Sequence, residues 1–225
     1  MKLKNSFILK LSLIFVGAAF LFIHNSGAAE QENNLDLDSF SKKLKEKMSG
    51  ISSISFRLEQ DTFIATSTHS LEADIDFKRP DKYFIKYSKP QVQQIIIDGE
   101  ALVTYIPEIK QATSQIITEA GSFFGVTASL LFSDDPIDNM KKLYNLKFFY
   151  EKNGQPAVYA NSKDIKNLEY IYIYFNSKSL LPEKTVVTAP DFKSVAIMSR
   201  YVLNPVYDAE LFHFNELGID ILKIK

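Results

Sequence analysis

From Ser53 onward, apolar and polar residues alternate with a period of two through one short segment after another. SISFRLEQD sets Ile54, Phe56 and Leu58 on one face, HSLEADIDF does the same with Leu71, Ala73, Ile75 and Phe77, and KYFIKY with Tyr83, Ile85 and Tyr87. Successive side chains on a strand point to opposite sides, so this period predicts half-buried strands. QIIIDGEALVTYI joins two apolar runs through Asp98-Gly99, a hairpin dipeptide. Lys110 to Thr118 predicts another short strand. LKFFY and PAVYA flank a second hairpin pair, Asn153-Gly154, and LEYIYIYF, TVVTA, KSVAIMSRYVL, LFHF and IDILKI complete the series. The pattern gives about ten or eleven strands, and the short connections with hairpin signals predict antiparallel pairing.

Three stretches break the period. Leu35 to Met48 repeats Leu37, Phe40 or Ser41, Leu44 and Met48 at helical spacing, with Asp36 or Asp38 to cap its start and Gly50 to end it. GSFFGVTASLLF, Gly121 to Phe132, clusters Phe123, Phe124, Val126, Leu130, Leu131 and Phe132 at a spacing that fits a short helix without a clean polar face. Asp134-Asp135-Pro136 then supplies a cap and a first-turn proline for another short helix through about Tyr144. The expected fold is mainly β (α+β): one antiparallel sheet, an N-terminal helix and a mid-chain helical insertion.

The N-terminus changes where the fold begins. Lys2, Lys4 and Lys10 precede an apolar run from Leu11 to Ile23, and the small residues Ser26-Gly27-Ala28-Ala29 follow. This order reads as a signal peptide over residues 1–29, cleaved after Ala28 or Ala29, leaving a single domain over 30–225. The apolar run is shorter than the roughly 20 residues a membrane span needs. Removing three lysines and no acids leaves a charge of about −4 on the mature chain, so nothing marks a nucleic-acid footprint. Among 225 residues there is no cysteine, which excludes disulfides and a lipid-modified N-terminal cysteine. The expected product is exported, soluble and not itself a lipoprotein.

Candidate chemistry is sparse. His69 and His213 stand alone, outside any metal-ligand spacing, and no nucleophile-elbow, zincin, P-loop or dinucleotide fingerprint is present. Ser39 and Lys42 match S-x-x-K without a K-T-G partner, and serines at a helix start serve as caps. No enzyme activity, metal or cofactor is expected. Phe (18) and Tyr (11) supply all the aromatic residues, with no Trp. A curved antiparallel sheet this rich in aromatics can fold round a ligand cavity, and an insertion without a polar side needs something apolar beneath it. A lipid pocket under a lid fits both facts.

The residues from Phe56 to Thr113 carry a resemblance. Phe56 with Gln60, Phe77-Lys78-Arg79-Pro80, the aromatic strand Tyr83 to Tyr87, Pro90, Asp98-Gly99, Leu102 with Tyr105, and Gln111-Ala112-Thr113 follow in order. This succession resembles the periplasmic lipoprotein carrier family LolA. Asp208 to Phe214 and Gly218-Ile-Asp-Ile-Leu look like that family's closing strand and final segment. The resemblance implies an unclosed antiparallel barrel of about eleven strands, covered by a lid of short helices over a hydrophobic cavity. It also implies a monomeric periplasmic chaperone. Such a chaperone takes acylated lipoproteins from an inner-membrane ABC transporter and passes them to LolB, an outer-membrane receptor that is itself a lipoprotein. The missing cysteine argues for carrier over receptor.

By the same resemblance, Arg79 is the lid latch, its guanidinium donating to backbone carbonyls of the lid. Phe77, Tyr83, Ile85, Tyr87 and Leu102 are expected to line the acyl-chain cavity. Phe123, Phe124, Leu130 and Leu131 are expected to cover it from the lid. Ile85 and Val103 stand where the family often has Trp, and Phe214 to Gly218 lacks its prolines. These departures leave room for a second reading, an RseB-like lipid sensor or a carrier of another lipid or glycolipid.

Overall fold

The computed structural model describes residues 37–116, 133–163, 170–215 and 219–224. Six strands precede the insertion: β1 (Ser53–Ile64), β2 (Ser67–Lys78), β3 (Lys82–Lys89), β4 (Gln93–Ile97), β5 (Ala101–Ile106) and β6 (Gln111–Ile116). Six follow it: β7 (Tyr144–Tyr150), β8 (Pro156–Ser162), β9 (Tyr170–Phe175), β10 (Pro182–Ala189), β11 (Phe192–Leu203) and β12 (Asp220–Ile224). They form one twelve-stranded sheet in the order β12-β6-β5-β4-β3-β2-β1-β11-β10-β9-β8-β7. The edges β12 and β7 do not pair with each other, so the sheet is unclosed and carries one strand more than the upper expectation. Neighbours are antiparallel except β12, which runs parallel to β6.

Local chemistry explains the hairpins. Asp98 Oδ1 accepts from the amides of Glu100 and Ala101, both at 2.9 Å. Gly99 sits at φ +102, where a Cβ would meet the Asp81 carboxylate at 2.7 Å. Only glycine fits there without strain. In β11 the phase is reset by a bulge: Ser55 pairs with Val202 but Arg57 with Ser199, so Phe56 faces two residues, and one of them, Arg200, adopts φ +56. The extra residue lets both Met198 and Tyr201 turn inward, and Tyr201 stacks on Phe56 at 5.5 Å.

Helix α1 (Leu37–Ser49) buries Phe40, Leu44 and Met48, the stripe expected from spacings of three and four. Phe40 stacks on Phe148 of β7 at 4.5 Å and meets Phe175 of β9 edge-on at 5.1 Å. Helix α2 (Pro136–Leu143) starts on its proline, buries Ile137 and Met140, and gives way to β7 at Tyr144. Both helices lie on one face of the sheet, which makes that face the core. The β9 alternation resolves accordingly: Ile171, Ile173 and Phe175 are fully buried, while Tyr170, Tyr172 and Tyr174 point outward. There Tyr172 packs against Tyr159 at 5.0 Å.

One expectation fails. LFHF is not a strand: Ala209–Phe212 forms a 3-10 turn, opened by Asp208, whose carboxylate accepts from the Glu210 amide at 3.0 Å. The reason lies in connectivity. β11 and β12 run in the same direction on opposite sides of six intervening strands, and strands so related need a crossover rather than a hairpin. The segment after Leu203 is that crossover. It is tied down by Tyr207, whose hydroxyl donates to Asp76 at 2.9 Å and lies 3.1 Å from the Ile54 carbonyl, and by Phe212, which is buried beside β3.

Candidate functional site

Strand register aligns the inner-face side chains into rows running across the sheet. Leu102, Ile97, Tyr83, Phe77 and Ile54 form one row. Ile95, Ile85, Ile75 and Phe56 form the next, and Tyr87, Ala73, Leu58 and Met198 the one after. The five strand residues proposed from sequence, Phe77, Tyr83, Ile85, Tyr87 and Leu102, therefore share the helix-covered face. Phe77, Ile85 and Leu102 are buried, and the two tyrosines pack against the same cluster. Phe77 and Tyr83 meet ring to ring at 4.7 Å. Phe123, Phe124, Leu130 and Leu131 lie outside the described residues.

Burial leaves the tyrosines a chemical signature. Loss of water pushes Tyr87 up to about 12, and burial, aided by the Asp81 charge, does the same to Tyr83. Below pH 10 these phenols are neutral in both folded and unfolded chains, so their contribution is fully present. Between pH 10 and 12 the unfolded chain ionises first and stability falls as pH rises. An absorbance titration should show a late phenolate phase near pH 12, and Tyr87→Phe should remove one phenol from it. Ionisation of all eleven tyrosines near pH 10 in folded protein would contradict the burial.

Arg79 stands where β2 ends, before a cis bond to Pro80. Its backbone amide donates to Ser52 at 2.9 Å, while the side chain turns onto the helices. Nε donates to the Ile51 carbonyl at 2.6 Å, Nη2 to the Met48 carbonyl at 3.1 Å, and Nη1 to the Asp134 carboxylate. Met48 closes α1, so the guanidinium caps a helix C-terminus, where a cation is favoured. Among the described residues the carbonyl acceptors thus belong to the end of α1 and the loop after it, rather than to the insertion. The contact with the segment leading into α2 is made by the Asp134 side chain instead.

Two further ion pairs fasten α1 to α2. Lys45 reaches Asp135 at 2.5 Å and Lys141 reaches Asp38 at 2.9 Å. The hydrogen bond from Lys45 holds the Asp135 carboxyl below the usual carboxylate range, yet its Oδ1 is buried with no hydrogen-bond partner. Exposed pairs contribute little each, so the fastening is specific in geometry and shallow in energy. Sequence reasoning read Asp134 and Asp135 only as helix caps. Asp135 makes no capping bond, and both carboxylates serve as partners for basic side chains instead. Their adjacency ahead of Pro136 was visible, but their partners were not.

Among the described residues no group of three or more His, Asp or Glu side chains could hold a metal ion, and no helix is long and apolar enough to cross a membrane.

Residues 49–215 match the family described as "Outer membrane lipoprotein carrier protein LolA". An outer-membrane lipoprotein carrier protein of Albidiferax ferrireducens is 25% identical over 155 residues, covering 66% of this chain and 71% of that protein. Its counterpart in Nitrosomonas europaea is 26% identical over 149 residues, covering 65% and 70%. Among solved structures, an uncharacterized conserved protein from Thermus thermophilus superposes with a TM-score of 0.54 at 8% identity, covering 84% of this chain and all of that one. That likeness concerns the fold alone.

Proposed function

Because this chain belongs to the LolA family of outer membrane lipoprotein carrier proteins, we propose that it shields the acyl chains of lipoproteins in the periplasm and carries them from the inner to the outer membrane. The observation that supports this most is the cross-linked closure of an apolar inner face. Arg79, rooted in the sheet, holds the end of α1 and the approach to α2 together above rows of Phe, Ile, Leu and Tyr.

The physical task is one of solubility. Burying acyl chain contributes about 0.8 kcal/mol per methylene, so a chain of ~14 methylenes left in water costs about 11 kcal/mol. A lipoprotein with two or three such chains does not diffuse unshielded, yet a carrier that buries them too well never releases them. Helices seated by an apolar stripe and a few polar contacts can trade that stripe's contacts for those of acyl chains, admit the chains against the sheet and reseat on release. In this reading residues 1–29 direct export and are removed, an inner-membrane ABC transporter loads the carrier, and a LolB-like receptor unloads it. The protein itself carries no lipid anchor and performs no catalysis.

The test is to purify the mature protein from its own host and identify by mass spectrometry what extracts from it. Acylated N-terminal peptides of lipoproteins are the expected cargo. A glycolipid or another free lipid would replace the carrier role with that of a sensor or carrier of that lipid. A protein that neither retains lipid nor takes up acyl chains in vitro would refute the reading.

A further inference from the structure

The inner face is not apolar throughout. Beyond the rows described above, the next one runs Leu71, Gln60, Ala196, Thr185 and Ile173. The one after it runs His69, Thr62, Ser194, Val187 and Ile171. Among the described residues only Ser53, Thr185 and Ser194 are polar and buried, at 5%, 5% and 4% exposure. Ser53 is accounted for, since its hydroxyl donates to the Pro205 carbonyl at 2.8 Å. Thr185 and Ser194 are not, and they stand as diagonal neighbours on adjacent strands.

Their hydrogen bonding is incomplete. Ser194 Oγ lies 3.4 Å from Thr62 Oγ1, well beyond the 2.7–2.8 Å usual between hydroxyls. Gln60 Nε2 donates to Thr62 Oγ1 at 3.1 Å, which leaves its second N–H and its carbonyl uncommitted. Thr185 makes no side-chain hydrogen bond among the described residues. Neither hydroxyl is a buried orphan: Ser194 keeps its long contact to Thr62, while Thr185 Oγ1, unbonded within the described residues, retains the little exposure the residue has and stays open to an outside acceptor.

The position of this patch matters. On one side lie Ile171 and Ile173, fully buried on the strand that Phe40 of α1 also touches through Phe175. On the other lie Leu71, Gln60 and Thr62, which are only partly covered. The hydroxyls therefore sit at the boundary between the helix-covered core and the open part of the inner face. Neither row contains a Lys, Arg, Asp or Glu, and the one imidazole, His69, stands exposed at the outer end of its row, with β1 between it and Ser194. A phosphate would need a cation or free backbone amides, and the amides of β1, β10 and β11 belong to the sheet ladders. Neutral donors instead match neutral acceptors, the carbonyl oxygens of ester- or amide-linked acyl groups.

We propose that Thr185 and Ser194, with Thr62 and Gln60 beside them, form a subsite for the ester carbonyls of an acylglycerol group, setting how deep the chains lie and excluding phosphate headgroups. This inference rests on the acyl-carrier reading and names the part of the ligand which that reading leaves open.

The test compares four fluorescent probes on the mature protein: a diacylglycerol, its dialkyl ether analogue lacking both carbonyls, a phosphatidylglycerol of the same chains, and a synthetic peptide bearing a diacylglyceryl cysteine. Wild type should prefer the diacyl to the dialkyl probe by about tenfold, as two neutral hydrogen bonds allow, and bind phosphatidylglycerol less well than diacylglycerol. In the Thr185→Val and Ser194→Ala double variant that preference should vanish, with thermal stability unchanged or raised, and Thr185→Ser should retain it. A stronger effect on the lipopeptide than on diacylglycerol assigns the ester to lipoprotein, and the reverse to a free lipid. Equal binding of ester and ether probes, a preference that survives in the double variant, or tighter binding of phosphatidylglycerol overturns this inference alone. Binding of none of the probes overturns the carrier reading, and this inference with it.

Discussion

Arg79→Leu should hold acyl cargo on the order of a hundred times more tightly than wild type, and release it correspondingly slowly. The direction follows from which state the contacts stabilise. Arg79 belongs to the sheet, whereas Met48, Ile51 and Asp134 belong to α1, the loop after it and the approach to α2. In the proposed carrier these bonds hold the helices seated on the inner face, so they favour the closed, empty state. On the proposal that cargo enters by displacing those helices, the latch energy opposes uptake and assists release.

The magnitude comes from the two carbonyls. Hydrogen bonds from a charged donor contribute about 1.5–3 kcal/mol each. With the Arg79 side chain still 21% exposed, the lower end applies, giving about 3 kcal/mol in all. Every 1.4 kcal/mol is about tenfold in affinity. The Asp134 end is 86% exposed and adds little, so Asp134→Ala should change release less than about threefold. Arg79→Lys keeps the charge but loses the planar fork, and one carbonyl bond of two survives. It should fall between, at about tenfold. Transfer of a fluorescent acyl probe from each variant to vesicles measures this directly. Release of the Leu variant at the wild-type rate, in protein whose thermal unfolding remains cooperative, would refute the latch.

Much of this geometry is legible in the sequence, for reasons that differ from residue to residue. Period-two alternation in β1 to β3 grouped the apolar residues of each strand on one face but left open which face lines the cavity, because a one-residue slip reverses it. Tyr83, Ile85 and Tyr87 could be assigned together on that ground. Asp98-Gly99 was readable because its turn admits only glycine at φ +102. The three tyrosines of β9 were ambiguous, since tyrosine suits either face of a sheet, and only packing decided for Ile171, Ile173 and Phe175. The partners of Arg79 were hidden for another reason. A guanidinium marks a place where planar donors are needed, but the carbonyls of Met48 and Ile51 lie on backbone, which sequence does not distinguish. The polar patch on the inner face was hidden too, because Thr185 and Ser194 come together only through the β10–β11 register.

The crossover was misread for a physical reason that can itself be tested. Phe212 to Phe214 alternates as a strand does, but what buries Phe212 is the outer face near β3, not a ladder partner. Phe212→Ala should therefore cost about 3–5 kcal/mol, the usual range for emptying a buried aromatic site, although it lies on the opposite side of the sheet from the helices. Tyr207→Phe, which removes the hydroxyl from Asp76 and the Ile54 carbonyl, should cost about 1–2 kcal/mol. Asp208→Ala separates turn from strand: loss of the bond to the Glu210 amide should cost about 1 kcal/mol, whereas a strand would not register it. Urea denaturation gives these values. Hydrogen exchange reports the expected consequence at the sheet edge, because the crossover precedes β12 in the chain and loosening it should weaken that strand's ladder to β6. Amides along Gln111 to Gln115 should exchange faster in the Phe212 variant than in wild type, with β8 and β9 unchanged. A Phe212→Ala protein within 1 kcal/mol of wild type would mean that the outer face contributes nothing to holding β12, and that the parallel pair stands by itself.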